Sequence, residues 1–173
     1  MARRPKWCKV GKGGRNNLPE VGSLFMLRVR CQAEVKVDAK GRAPLPAKIR
    51  HALNEAGKAD LVLAFHRGAI WGWTREHFEE VVEAPLATAD QFDVAVMDMA
   101  HALLSTAQDV ELDNQGRIRI PARLRTLAGL GKEVVVNSIL NRIEIWDSKA
   151  WDERFSASLH SSSGRSGMPG RNG

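Results

Sequence analysis

The sequence predicts a mainly β chain with short helices, α+β in class, built from two tandem copies of one small module. Three observations carry this. VDAKGRAPLPAKIR at 37–50 matches LDNQGRIRIPARLR at 112–125 at a fixed offset of 75. Identities fall at Asp38/Asp113, Gly41/Gly116, Arg42/Arg117, Pro46/Pro121, Ala47/Ala122 and Arg50/Arg125. A weaker match follows at offset 73, where LVL (61–63) aligns with VVV (134–136), Ile70 with Ile143, Trp73 with Trp146 and Phe78 with Trp151. Finally, short apolar runs alternate with Gly, Pro, Asn and Asp, the punctuation of strands and turns.

Each copy reads alike. A strand (34–37; 110–112) enters a turn at DAKGR or DNQGR, and a second strand follows (43–45; 118–120). Pro46 or Pro121 then opens a short helix, placed at its first position. Two further strands come next, LVLAF with AIWGW in the first copy and EVVVNS with RIEIWD in the second. HRG at 66–68, and Asn137 with Asn141, mark the hairpin loops. REHFEEVVEA at 75–84 reads as a short helix ended by Pro85. Across 89–108, Phe92, Val96, Met99, Leu103 and Ala107 recur at spacings of three and four, an amphipathic connecting helix. The predicted organisation is a disordered basic arm (1–24), a first module (29–83), a helical connector (84–108), a second module (109–155) and a disordered Ser/Gly-rich tail (156–173).

The net charge of +6 is not spread evenly. Arg3, Arg4, Lys6, Lys9, Lys12 and Arg15 against Glu20 give residues 1–24 a net +5, and Arg165 with Arg171 give the tail +2. Residues 25–155 are left at −1, so nucleic-acid binding by the folded part must come from local patches. The sequence lacks the run of about 20 apolar residues that a spanning helix needs. Its basic N-terminus also lacks a secretory signal's apolar core and cleavage site, which predicts a cytoplasmic, nucleoid-associated protein. Cys8 and Cys31 have no CxxC or HxxxH-type companions, so they read as two reduced thiols with no metal site.

The repeated turns hold the patches. Asp38 and Asp113 are placed to accept backbone N–H bonds as Asx turns, and Gly41 and Gly116 to supply a positive φ. Lys40, Arg42, Lys48 and Arg50 cluster in the first copy, and Arg117, Arg119, Arg123 and Arg125 in the second. Two roles are open to Arg42 and Arg117. The guanidinium fork can grip a guanine edge or a phosphate, or it can close the turn through a salt bridge to the nearby Asp. Lys48, Arg50, Arg123 and Arg125 read as a solvated helix face.

The paired DxxxGR turns, each followed by P-A-x-x-R, and the closing IEIWD with Trp151 four residues on, resemble the MraZ family of bacterial transcriptional regulators. The resemblance covers roughly 29–155 and is closer in the second copy. It implies two swapped-hairpin, AbrB-like modules forming a double-module β-barrel, assembled into a homo-oligomeric ring. It further implies that Arg42, Arg117, Lys40, Gly41 and Gly116 bind double-stranded DNA at promoter repeats, of the cell-division and cell-wall gene cluster and of the protein's own gene. The chain departs from the family at Val29 and Cys31, where a Phe and a Gly are usual, at NSIL (137–140), at Gln115 in place of the flanking Lys, and in its N-terminal arm.

Other function classes fit less well. His51, His66, His77, His101 and His160 are scattered, and no GxSxG, P-loop or dinucleotide fingerprint occurs, so no catalytic residue, cofactor or small-molecule substrate is predicted. GKGG at 11–14 lies in the arm, and Glu79, Glu80 and Glu83 read as a solvated helix face. Tyr is absent, and Trp71, Trp73, Trp146 and Trp151 suit core or subunit packing rather than RNA stacking. The alternative is an oligomeric protein-binding hub of AbrB-like fold with only non-specific nucleic-acid affinity. Each copy spans about 40 residues, too few for an independent core, which predicts a closed cyclic homo-oligomer.

Overall fold

The computed structural model describes residues 29–57 and 60–163, the last three by backbone alone. The arm at 1–24, Cys8 and the tail from 164 lie outside the described residues, while Cys31 is a free thiol. The first copy contributes β1 (Cys31–Lys36), β2 (Arg42–Pro44), α1 (Ala47–Glu55), β3 (Asp60–His66) and β4 (Ala69–Thr74). The second contributes β5 (Gln108–Glu111), β6 (Arg117–Arg119), α5 (Ala122–Leu127), β7 (Glu133–Ile139) and β8 (Arg142–Asp147). Between them lie α2 (Arg75–Phe78), a π-helical turn (Glu79–Glu83), α3 (Ala84–Thr88) and α4 (Val94–Leu104), and α6 (Ser148–Ser163) follows.

The strands exchange partners between the copies. One antiparallel sheet runs β1-β7-β8-β4-β3-β5, and β2 pairs with β6 in a separate ladder. β1 of the first copy lies on β7 of the second, with Val35 opposite Val134. β5 of the second copy lies on β3 of the first, with Leu61 opposite Val110, and β4 meets β8 at the centre, with Ile70 opposite Ile145. The β1–β2 and β5–β6 hairpins are therefore swapped, while the implied closed barrel is not formed. β1 and β5 end the larger sheet as edges, and beyond the turns only the Leu112–Ile118 bridge links the second hairpin's strands. Pro44 lies within β2 and has no N–H to extend the short ladder.

Swapping makes the core common property. Val37, Leu45, Ile49 and Leu53 pack in one cluster with Val110, Ile118, Ile120 and Leu124. Burying each such side chain contributes roughly 1.5–3 kcal/mol over leaving it exposed, and the cluster draws these side chains from both copies. β3 is apolar on both faces: Leu61 and Leu63 face this cluster, whereas Val62 and Ala64 join Trp73, Phe78, Val82 and Leu103 in a second one.

Several elements differ from the sequence expectation. Pro46 and Pro121 are not the first helical residues. Their ψ angles of 143° and 140° are extended, and their carbonyls accept the first helical bonds, from the N–H groups of Arg50 and Arg125. Pro85 does not end the 75–84 helix, because the π turn shifts the bonding register just where the proline lacks a donor. The connecting helix starts only at Val94, since the Asp93 carboxylate caps it by accepting from Ala95 and Val96. Leu103 alone of the expected stripe is fully buried, and Phe92, ahead of the helix, is 96% exposed. Asn137 is not in a loop but buried within β7 opposite Glu144, and the reversal falls at Leu140 and Asn141. Residues 156–163 are helical rather than disordered. Asp147 accepts from the N–H groups of Lys149 and Ala150, and Trp151 stacks on Phe155, one turn on, at 5.7 Å.

Candidate nucleic-acid interface

The two turns are built alike. Asp38 Oδ1 accepts from the N–H groups of Lys40 and Arg42, both at 2.9 Å, and Gly41 N–H donates to the Asp38 carbonyl. Asp113 Oδ1 accepts from Gln115 and Arg117 in the same way, and Gly116 N–H donates to its carbonyl. Gly41 and Gly116 have φ of +78° and +70°, left-handed conformations that close each reversal. Of the two roles open to Arg42 and Arg117, the salt bridge is formed. Arg42 Nε donates to Asp38 Oδ2 at 2.7 Å, and Arg117 donates through Nε and Nη2 to Asp113 Oδ2, both at 2.8 Å. A guanidinium carries five donors, so this bond fixes the fork without exhausting it. Both carboxyls are held below their ordinary value, above all by the N–H of Arg42 or Arg117; desolvation opposes this, and the guanidinium and the N–H of Lys40 or Gln115 add to the lowering.

The β2–β6 ladder brings the turns together. Arg42 lies opposite Arg119, Ala43 opposite Ile118, and Pro44 opposite Arg117. Strand alternation sends Ala43 and Ile118 into the core and leaves Arg42, Arg117 and Arg119 on the outer face of the ribbon. Like charges opposite one another, as in Arg42 and Arg119, disfavour a ladder unless an anion stands nearby. Lys40, Lys48, Arg119 and Arg123 are exposed around this face.

Each turn is also tied to the helix start of the other copy. Leu45 N–H donates to the Gly116 carbonyl at 3.0 Å, and Ile120 N–H donates to the Gly41 carbonyl at 2.8 Å. Helical side chains lean toward the N-terminus. Arg50, four residues past Pro46, therefore lies on Gly116, and Arg125 lies on Gly41. These two are half-buried with Nε sealed from water, so the expected solvated face is confined to Lys48 and Arg123. The sequence held a signal for this, since Arg recurs four positions after Pro in both copies.

Among the described residues no three His, Cys, Asp or Glu side chains converge as metal ligands would, and no helix is long and apolar enough to cross a membrane. A family model described as "MraZ protein, putative antitoxin-like" matches residues 103–166. The protein named Transcriptional regulator MraZ from Shewanella frigidimarina (strain NCIMB 400) is 33% identical over 128 residues, which cover 73% of this chain and 84% of that protein.

Proposed function

The chain belongs to the MraZ family, and on that premise we propose that it is a sequence-specific DNA-binding transcriptional regulator whose two Gly-Arg turns read one duplex together. The observation that carries the reading is the β2–β6 ribbon, which sets Arg42, Arg117 and Arg119 on a single outer face. A two-stranded ribbon fits the major groove, where an Arg fork can bridge guanine O6 and N7. Lys40 stands beside the first turn; Gln115, uncharged, stands at the second. Gly41 and Gly116 close the two turns that present the arginines, and Asp38 and Asp113 hold the forks.

A single ribbon spans only a few base pairs, so the working form is a homo-oligomeric ring that engages promoter repeats, those of the cell-division and cell-wall cluster and of its own gene. Exposed Phe92, Val94, Met99 and Leu104 around α4, and Phe155 and Leu159 on α6, offer the apolar contacts for it. Later contacts within a ring are intramolecular, and avidity rises by about 10²–10⁴ over one site. The test uses promoter fragments with two short repeats whose separation is stepped by half a helical turn. Affinity should fall at the half turn and recover at the full turn. Spacing-independent affinity would mean that the turns do not read repeats.

A further inference from the structure

The cation without a counterion at each turn comes from the other copy. Arg42 and Arg117 are neutralised by Asp38 and Asp113, whereas Arg50 and Arg125 have no ion pair among the described residues. Arg125 lays its guanidinium on Gly41, where a Cβ would stand 2.9 Å from Cζ and 3.1 Å from Nη2. Arg50 crosses Gly116 at the equivalent place but with its stem closer, Cδ being the nearest atom to such a Cβ and Nη1 lying 2.9 Å from it. Both Nε–H groups are buried without an acceptor. The arrangement occurs twice, at equivalent places, which a chance contact would not do.

We propose that Arg50 and Arg125 are phosphate-binding residues, each gripping the DNA backbone beside the turn of the other copy. The inference rests on the reading of the turns as the DNA-facing surface. A guanidinium stripped of part of its water and given no anion is unfavourable until an anion arrives, and a phosphate offers two acceptors that match the fork. The absence of a Cβ at 41 and 116 is what leaves room for each arginine against the turn. The helical bonds from Arg50 to Pro46 and from Arg125 to Pro121 fix both backbones, so the main chain that carries each cation needs no ordering on binding. Each turn thus works with two arginines from two copies, one for bases and one for a phosphate.

The experiment is fluorescence anisotropy of the full chain on its own upstream promoter fragment and on a scrambled duplex, from low to moderate salt. Arg125→Met should weaken binding to both duplexes by about tenfold, and flatten the dependence of log affinity on log salt by about one for each engaged turn. Arg125→Lys, which keeps the charge, should restore most of the salt slope, and Arg42→Ala should weaken only the promoter fragment. An unchanged slope in Arg125→Met, or a loss confined to the promoter fragment, would overturn the proposal and make Arg125 a prop for the turn. If Arg125→Met does not fold, Arg50→Met makes the same test at the other turn. A wild-type chain that binds both duplexes equally would refute sequence-specific reading, while the slope on the scrambled duplex still decides the phosphate contact.

Discussion

Of the five glycines in left-handed conformations among the described residues, four form two matched pairs, and alanine at each of these separates backbone cost from crowding. Gly41 and Gly116 lie under an arginine, while Gly57 (φ +65°) and Gly129 (φ +58°) have nothing within 4 Å of an added Cβ. The left-handed conformation costs an alanine about 1–2 kcal/mol at any of the four. For a chain of this size that lowers Tm by about 2–8 °C. At Gly116 the new methyl lands on the Arg50 side chain, and at Gly41 it meets the Arg125 guanidinium. At Gly41 the far end of a flexible side chain swings into water at little further cost, at Gly116 the stem of Arg50 must shift as well, and in both cases the cation leaves the turn. Thermal melts followed by circular dichroism should therefore rank Gly41→Ala with Gly57→Ala and Gly129→Ala, and Gly116→Ala below them. Anisotropy should set Gly41→Ala and Gly116→Ala apart, weaker on duplex DNA by about tenfold, or about 1.4 kcal/mol. Equal weakening by Gly129→Ala would refute the reasoning, since that variant leaves both arginines in place.

Other outcomes follow from the core and from the shifted groups. Ile118→Ala, fully buried where the copies meet, should lose about 2–5 kcal/mol, read as a lower urea midpoint with unchanged slope; a loss under 1 kcal/mol would deny the shared core. The lowered carboxyls of Asp38 and Asp113 contribute stability in full above the ordinary Asp value and lose it as pH falls through the lowered one. Asp38→Asn with Asp113→Asn should accordingly flatten the stability curve below about pH 4. His66 is pushed below its ordinary value by burial, then by Arg67 and Arg142. Protonation favours the unfolded chain, so stability should decline as pH drops below about 6.5, and His66→Asn should remove that decline.

The repeat made much of the fold readable, because residue types required by a turn are few. Asp, Gly and Arg at 38, 41 and 42 recur at 113, 116 and 117, and they build the same hydrogen bonds. The swap was not readable from local pattern. Periodicity places Val35 and Val134 on strands but carries no information about which copy they join. For the same reason Arg50 and Arg125 read as solvated: helical spacing puts them off the apolar face, and only the β2–β6 pairing brings the opposite turn against them. Pro85 and Asn137 misled in another way. Each is a punctuating residue by statistics, and each is accommodated by context, a π turn in one case and a buried strand in the other. The helix over 156–163 begins in a well-capped segment whose aromatic pair lies upstream of the Ser-rich stretch, so its composition hid its start.

The exchange of hairpins also sets the order in which a ribosome can deliver a finished molecule. β1 leaves the tunnel early, yet its partner β7 is encoded about 100 residues later. At about 5–20 residues per second, the first hairpin waits on the order of 5–20 s with its ladder groups unpaired. β3 and β4 can form their local hairpin meanwhile, but the edge that β5 will occupy stays open. During that interval a neighbouring nascent chain on the same message presents identical strands. Intermolecular exchange of β1 and β2 is then a competing product, one that folds correctly at every contact while joining two chains. The pairing of early with late segments makes folding non-local and slow. It therefore places this regulator's yield under the control of translation density, independently of how tightly the finished fold is held.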